Sequence, residues 1–203
     1  MESCPSEQRK RAVVEAALTA FGRSGYRKTS VSDVAAAAGI SKALVFHYFG
    51  SKKELYVHLA RFCGKTLAAE VRKNVQADNT DFFDRVHAAA EIKISVLREH
   101  PGLLSFLESM YRESDETVAG EIRGLILPEN EHFTTANIFE GVDYSKFKDG
   151  VDPKLVLKLM LYFSEGCVNK QPRGAPIDIG AVMDEFRECA ALLRSNFYRE
   201  EFV

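Results

Sequence analysis

Apolar residues recur at spacings of three and four along almost the whole chain, which is the period of one face of an α-helix. No alternating run of Val, Ile and Thr bounded by turn residues breaks this pattern, so we expect no β-strand. Glycine and proline separate the helical segments, as at Gly39, Gly50 and residues 100–102. The sequence therefore predicts an all-α fold, and its 46% of apolar residues suffice for a packed core.

The first 50 residues predict three helices. An apolar stripe runs through residues 6–22, and Gly25 ends this helix. Ser30 has the form of an N-cap before a second helix, because its hydroxyl is able to accept from an amide of the first turn. Gly39 supplies the positive φ that ends the second helix, and Ser41 caps the third.

The segment at about 31–50 has the form of a helix-turn-helix. Ala35 is small enough for two helices to cross closely, and Gly39 makes the turn between them. Five apolar residues fall at spacings that bury them between the two helices: Val34, Ala38, Ile40, Val45 and Tyr48. Few folds require all of these features together, so the segment favours a DNA-binding helix-turn-helix; an ordinary helical hairpin is the alternative, and the family resemblance given below favours the former.

The wheel of the third helix separates a buried face from an exposed one. When Val45, Tyr48 and Phe49 face inward, four residues share the opposite face: Lys42, Ala43, Phe46 and His47. A large apolar ring exposed to water is typical of an interaction site, and Phe46 is able to touch a thymine methyl group, while His47 is able to donate to a phosphate or a base edge. The alternative is that Phe46 belongs to the core at a slightly different helix rotation.

Polar residues around this helix are candidate phosphate contacts. Lys42 places a positive charge on the exposed face. A capping box at residues 51–54 puts Lys52 at a helix N-terminus, where backbone amides also attract phosphate. Thr29 and Ser30 occupy the corresponding place before the second helix. Such contacts orient the protein on DNA, whereas a few base contacts specify the sequence.

The segment 11–56, which includes AFGRSGYRKTSVSDVAAAAGISKALVFHYFGSKKELY, resembles the N-terminal domain of the TetR family of bacterial transcriptional repressors. The resemblance implies a three-helix DNA-binding domain over residues 1–53 and a larger helical domain for effector binding and dimerisation over residues 54–203. It also implies a homodimer on a pseudo-palindromic DNA operator, released when a small-molecule effector binds.

The same resemblance implies which residues contact DNA, and it shows three departures. The positions that match family DNA contacts are Thr29, Ser41, Lys42, Ala43, Phe46, His47, Tyr48 and Lys52. Ala43 stands where the family commonly has glycine, Leu44 where it often has threonine, and Phe46 where it commonly has tyrosine. Loss of two hydroxyl groups removes possible phosphate hydrogen bonds, each worth about 1 kcal/mol.

Two segments near the C-terminus, at about 153–170 and 178–200, are long and strongly apolar. Asp152 is the predicted cap of the first segment, and Pro153 is its first helical residue. Asp178 is the predicted start of the second segment. Helices this apolar need a partner surface. That partner is either the rest of the domain or the same pair from a second protomer in a four-helix bundle, and the family resemblance implies the second.

The candidate effector pocket is drawn from aromatic, sulfur-bearing and polar residues of the remaining helices: Phe62, Cys63, Phe83, His87, Phe106, Tyr111, Tyr162 and Phe163. Most aromatic residues at helical spacing are core, and the resemblance implies only that some of them line a cavity.

Several other classes of protein are disfavoured. The sequence contains no P-loop, no cluster of metal ligands and no Ser-His-Asp or Cys-His order, so we expect no enzyme, no cofactor and no metal. Cys4, Cys63, Cys167 and Cys189 stand far apart, which disfavours a zinc site or disulfide framework and suggests core residues; a redox role for Cys63 or Cys167 is the alternative. No run of 18 apolar residues is present, and charges occupy the start of the chain, so we expect a cytoplasmic protein.

The net charge of −2 combines two unlike parts. Residues 1–61 carry ten Lys and Arg against five Asp and Glu, a net of +5, and residues 62–203 carry 17 against 24, a net of −7. A basic DNA-binding domain beside an acidic body orients the former toward DNA. The sequence thus predicts a dimeric repressor released by an effector; a ligand-independent dimeric DNA-binding module with a packed C-terminal domain is the alternative.

Overall fold

A computed structural model describes residues 5–75, 78–126, 138–172 and 175–203. Within them, the regular structure is helical, and one isolated antiparallel bridge joins Phe147 to Tyr198. The α-helices are α1 (Pro5–Lys28), α2 (Val31–Ala37), α3 (Lys42–Phe49), α4 (Lys52–Asn74), α5 (Phe82–Glu99), α6 (Pro101–Tyr111), α7 (Glu116–Ile126), α8 (Pro153–Asn169) and α9 (Ile179–Phe197). The predicted all-α fold is confirmed.

The helix starts follow the predicted caps. The Ser30 hydroxyl accepts from the Ser32 amide at 3.1 Å, and the Ser41 hydroxyl accepts from the Leu44 amide at 3.2 Å. Gly39 between these helices has a φ of 68°, so its positive φ is confirmed. The Ser51 hydroxyl accepts from an amide in the first turn of α4.

Gly25 interrupts α1 rather than ending it. The residue adopts φ 71° and ψ 174°, and the chain resumes a helical turn up to Lys28. The prediction of a break at Gly25 is confirmed, whereas the predicted end of the helix came too early, because the chain re-enters helical geometry after the glycine.

The described residues fall into two compact units. One consists of residues 5–68 and 96–126, and the other of residues 69–75, 78–95, 138–172 and 175–203. The predicted boundary after residue 53, between a DNA-binding domain and an effector-binding domain, does not coincide with the boundary between these compact units, and it remains a prediction.

The core of the first unit joins α1, α2 and α3 to α4 and α6. Phe21 and Tyr56 are completely buried, with their rings edge to face and their centroids 5.0 Å apart, and Tyr56 meets Phe106 in the same way at 5.2 Å. Val34 and Val45 from the helix-turn-helix belong to this same core. The predicted burial of Val34 and Val45 is therefore confirmed, and α3 is anchored in this core through Val45 and packs against α2.

The second unit has an aromatic core closed by the C-terminal segment. The Tyr198 ring is fully buried, 5.0 Å from the centroid of Phe83 and 4.8 Å from that of Phe147. Its hydroxyl oxygen accepts from the Phe82 amide at 3.2 Å. The buried carboxylate of Asp81 is paired nearby with the ammonium of Lys146 at 2.9 Å and with the guanidinium of Arg194 at 3.2 Å.

Both C-terminal helices begin as predicted. The carboxylate of Asp152 accepts from the Lys154 amide at 2.9 Å, and that of Asp178 accepts from the Ala181 amide at 3.0 Å. One face of α8 is buried through Val156, Leu157, Met160 and Cys167, but the other carries exposed apolar side chains. None of the helices in the described part of the chain is both long enough and apolar enough to cross a membrane.

Candidate nucleic-acid interface

The third helix exposes the side predicted from its wheel. Val45 is 1% exposed and packs in the core, whereas four residues of the opposite side lie in solvent: Lys42, Ala43, Phe46 and His47. α3 begins at a Ser41 cap and ends at Gly50, whose φ of 77° turns the chain toward α4. The predicted exposed face is thus present, and its contact with DNA remains a prediction.

Phe46 is an exposed aromatic residue on this face, with 37% of its surface accessible. The ammonium of Lys42, one turn earlier, lies 5.8 Å from the centroid of its ring. A cation over an aromatic face is attracted by the ring, so the two side chains form one surface. The alternative in which Phe46 is a core residue is wrong, because Val45 occupies the buried position.

Tyr48 lies half-buried at the edge of the same surface. Its ring centroid is 5.6 Å from that of His47, and the ammonium of Lys10 on α1 lies 5.7 Å from it. Lys10 is not among the DNA contacts predicted from the sequence. Its position within the basic run of residues 9–11, off the apolar stripe of α1, was the available signal.

The hydroxyl groups of Thr29 and Ser30 make different hydrogen bonds within the fold. Thr29 is buried, and its hydroxyl lies 2.7 Å from the Gly25 carbonyl oxygen, to which it donates, and 3.1 Å from that of Ala20. That hydroxyl is used inside the fold, so a DNA contact at Thr29 has to come from the backbone. The Ser30 hydroxyl caps α2 as an acceptor.

Lys52 is held by groups of its own protein. Its ammonium donates to the Arg27 carbonyl oxygen at 3.2 Å and lies 4.7 Å from the centroid of the Tyr26 ring. Burial lowers the pKa of Lys52, while the negative charges of Asp115 and Glu113 act in the opposite direction. The ammonium predicted to contact phosphate is therefore already hydrogen-bonded to the end of α1 in the free protein.

The part of the chain that carries this interface is similar to known proteins. Residues 13–59, which cover α2, α3 and most of α1, match the family model described as "Bacterial regulatory proteins, tetR family". Over these residues the chain is similar to TetR-family regulators. The match confirms the resemblance that was read from the sequence around the helix-turn-helix.

Curated relatives are similar to this chain over part of its length. The HTH-type transcriptional regulator BetI of Agrobacterium fabrum is 39% identical over 69 residues, which are 34% of this chain and 32% of BetI. The chain spans about a third of the length of the curated relatives it matches first. These relatives are transcriptional regulators, and the similarity covers only a part of each.

Solved structures of TetR proteins share the fold over nearly the whole chain. SmeT, the repressor of the Stenotrophomonas maltophilia multidrug efflux pump SmeDEF, matches with a TM-score of 0.68 at 16% identity over 96% of this chain and 92% of SmeT. FadR of Bacillus subtilis, in complex with stearoyl-CoA, matches with a TM-score of 0.61 at 15% identity over 92% of this chain and 98% of FadR. Identities this low establish the fold alone.

The candidate effector residues are divided between the two compact units. The first compact unit contains Phe62, Cys63, Phe106 and Tyr111, and the second contains Phe83, His87, Tyr162 and Phe163. Cys63 and Phe106 are completely buried in the core of the first unit, and Phe83 is buried among the aromatic residues of the second. Phe62, Tyr162 and Phe163 are exposed.

The polar member of that set is His87. Its Nε2 accepts from the Arg187 Nε at 3.3 Å, and Arg187 also binds Glu91 at 2.6 Å. His87 is therefore engaged with α9 of its own unit. The pocket assignment remains a prediction for all eight residues.

The cysteines have the properties of structural residues. Burial raises the pKa of the Cys63 thiol to about 12, which keeps it protonated and unreactive at neutral pH. The pKa of Cys167 is raised by burial and by Glu185, whose carboxylate accepts from the thiol at 3.3 Å. Cys4 lies outside the described residues. Among those residues, no group of three or more His, Cys, Asp or Glu is placed to hold a metal ion.

Proposed function

We propose that this chain is a homodimeric transcriptional repressor that binds a pseudo-palindromic operator and is released by a small-molecule effector. The observation that carries the proposal is the exposed face of α3, which presents Lys42, Phe46 and His47 to solvent while Val45 anchors the helix in the core. A recognition helix enters the major groove with such a face, and its N-terminal residues reach base edges.

The face offers three kinds of DNA contact. Lys42 supplies a charge for phosphate, His47 a donor for phosphate or a base edge, and Phe46 an apolar ring for a thymine methyl group. Ala43 and Phe46 replace the glycine and tyrosine that the family commonly has, so the helix presents two apolar groups beside its cation. We expect an operator with a thymine-rich half-site.

The basic charge of residues 1–61, a net of +5, supports binding to a polyanion. Lys10 adds to this charge beside Tyr48, where the start of α1 meets the recognition helix. Phosphate contacts made by such residues release counterions, and their number sets how steeply affinity falls with salt.

Dimerisation is supported by the exposed apolar side of the C-terminal helices. Leu155, Leu159 and Tyr162 follow one another along α8 at helical spacing and are 54%, 44% and 44% exposed. Leu192 on α9 is 64% exposed. A two-fold axis would pair this surface with its copy and present two recognition helices to half-sites about one helical turn apart, or a multiple of that spacing.

A Leu159→Asp change is expected to convert dimer to monomer in sedimentation velocity, and an unchanged dimer would contradict this assignment.

The second part of the proposal is that a small-molecule effector releases the protein from its operator. The similar fold of FadR contains stearoyl-CoA, which makes this compound one reasonable probe. An effector that weakens operator binding must itself bind more weakly, by the same factor, when operator is present. The alternative, a ligand-independent module, is favoured by the complete burial of Cys63 and Phe106. Operator release by any member of a metabolite panel that includes stearoyl-CoA favours the first function, and binding unchanged by the whole panel favours the second.

The experiment that tests DNA binding begins with duplexes selected by the wild-type protein from a random library. Combined Lys42→Ala and His47→Ala changes should leave the circular dichroism spectrum unchanged, lower operator affinity, and make its dependence on salt shallower. Combined Lys73→Ala and His100→Ala changes, at exposed residues of the same types, are the matched control. Equal operator affinity of the two double variants would contradict the assignment of the α3 face.

A further inference from the structure

Glu113, in the turn after α6, accepts hydrogen bonds from three backbone amides. One carboxylate oxygen lies 3.0 Å from the Ser114 nitrogen and 2.9 Å from the Asp115 nitrogen, within its own turn. The other oxygen accepts from the backbone N–H of Tyr26, 87 residues earlier, at 3.0 Å. A carboxylate that accepts several amides forms charge-assisted bonds, which are stronger than neutral ones. Glu113 thus joins the end of α6 to the end of α1.

The break in α1 makes the Tyr26 amide available. Gly25, with φ 71°, turns the chain out of the helix just before Tyr26. A Cβ at Gly25 would lie 3.8 Å from the carboxylate of Glu113, so the glycine faces this side chain directly. On its other side, the Gly25 carbonyl oxygen accepts from the Thr29 hydroxyl at 2.7 Å. The break is therefore held at a defined geometry.

The start of α4 belongs to the same cluster. The Lys52 ammonium binds the Arg27 carbonyl oxygen and lies over the Tyr26 ring, and Glu113 and Asp115 act on its charge. The Tyr26 and Tyr56 ring centroids are 5.1 Å apart. Two basic elements of the helix-turn-helix domain, the end of α1 and the start of α4, thus meet two carboxylates that follow α6.

Two further ion pairs connect α4 to α7. Glu121 lies 3.2 Å from the ammonium of Lys53 and 3.6 Å from the guanidinium of Arg61. All three side chains of these pairs are partly exposed to solvent, and surface pairs of this kind contribute little stability individually. The bonds of Glu113 differ because they involve backbone groups, whose positions follow the helices themselves.

We infer that Glu113 is a positioning residue for operator binding: its carboxylate holds the end of α1 at one orientation against α6. The recognition helix follows α1 through α2, which packs against both. The inference rests on the proposed function. Two recognition helices must meet two half-sites simultaneously, so a looser orientation raises the entropy lost on binding the complete operator. Binding of one helix to one half-site places no such demand on orientation.

The test compares two DNA probes. One is the operator duplex selected by the wild-type protein, and the other is the same duplex with one half-site scrambled. Glu113→Ala should lower affinity for the complete operator by roughly tenfold or more, the effect of losing a hydrogen bond to a charged group. Affinity for the scrambled duplex should stay within about twofold, since the face of α3 is unchanged.

Glu113→Gln retains one acceptor oxygen and should give an intermediate loss on the complete operator. Glu116→Gln is the charge-matched control, since Glu116 is exposed in the first turn of α7. Amide hydrogen exchange gives a second readout: the Tyr26 amide should exchange faster in Glu113→Ala and Glu113→Gln, while core amides such as that of Val13 keep their protection.

Equal losses on both duplexes, with faster exchange throughout the core, would show a role in folding alone and overturn the inference. Unchanged affinity of both Glu113 variants for the complete operator would also overturn it, with the proposed function intact. A wild-type protein that selects no DNA sequence would instead refute the proposed function, and the inference would fall with it.

Discussion

Gly22 on α1 lies directly against the backbone of Phe106 on α6. A Cβ built on Gly22 would stand 2.9 Å from the Phe106 nitrogen and 2.5 Å from the Ser105 hydroxyl oxygen. The two helices therefore touch through their main chains, and only a residue without a side chain fits between them.

Gly22→Ala is expected to destabilise the protein although alanine favours helix. The methyl group meets backbone atoms, which cannot rotate away, and overpacking of this kind costs about 1–3 kcal/mol. Urea unfolding followed by circular dichroism measures the loss, and operator affinity should fall with it because α1 packs against α2, which contacts the recognition helix. Gly120→Ala on α7 is the matched control: no atom lies within 4 Å of its added Cβ, so it should stabilise by about 0.5–1 kcal/mol. Equal effects of the two changes would contradict the close contact.

Lys10 is expected to contribute to DNA binding through charge. Its ammonium stands beside the Tyr48 ring at the edge of the recognition surface, and Glu7 lies 3.0 Å away as a partner in the free protein. Lys10→Ala should weaken binding about uniformly across DNA sequences and reduce the slope of log affinity against log salt by about 1. Lys73→Ala, at an exposed lysine outside the helix-turn-helix domain, should leave the slope unchanged. A change in sequence preference without a change in slope would argue that Lys10 reads bases instead.

Local patterns predicted the helix-turn-helix well, because its signals lie within a few residues of one another. Ser30, Ser41 and Gly39 act on their own helix ends, and their caps and turn are confirmed. The bond between Glu113 and Tyr26 joins residues 87 apart, and nothing in the period of either helix indicates that they meet. The same limit applies to Gly22, where the sequence marks a helix end but the structure shows a close approach of two backbones.

Burial was harder to predict for single aromatic residues than for whole faces. The wheel of α3 assigned Phe46 to the exposed side, but the candidate pocket mixed residues with opposite environments. Phe106 is completely buried, whereas Phe62 is 39% exposed. Helical spacing gives the direction of a side chain from its own helix, and only the packing of other helices decides whether that direction leads into the core.

Tyr56 and Tyr198 are both fully buried, yet their hydroxyl groups differ in hydrogen bonding. The Tyr198 oxygen accepts from the Phe82 amide, whereas the Tyr56 hydroxyl has no hydrogen-bond partner among the described residues. Tyr198→Phe leaves a buried amide unpaired and should cost about 1–3 kcal/mol. Tyr56→Phe removes an unpaired polar group, so it should be neutral or stabilise the protein by about 1 kcal/mol. Urea midpoints at pH 7 measure both, and destabilisation by both changes would show that the Tyr56 hydroxyl is bonded in solution.

The two buried tyrosines should make the stability of the protein depend on pH in the alkaline range. Burial raises the pKa of both Tyr56 and Tyr198 above the ordinary value of 10. Above pH 10 the unfolded chain loses these protons while the folded chain keeps them, so the free energy of unfolding falls as pH rises, until the folded pKa is passed. Tyr56→Phe removes one titrating group from the unfolded state, and the decline in urea midpoint between pH 9 and about 11 should become shallower. An identical decline in wild type and Tyr56→Phe would mean that Tyr56 titrates in the folded protein as readily as in the unfolded chain.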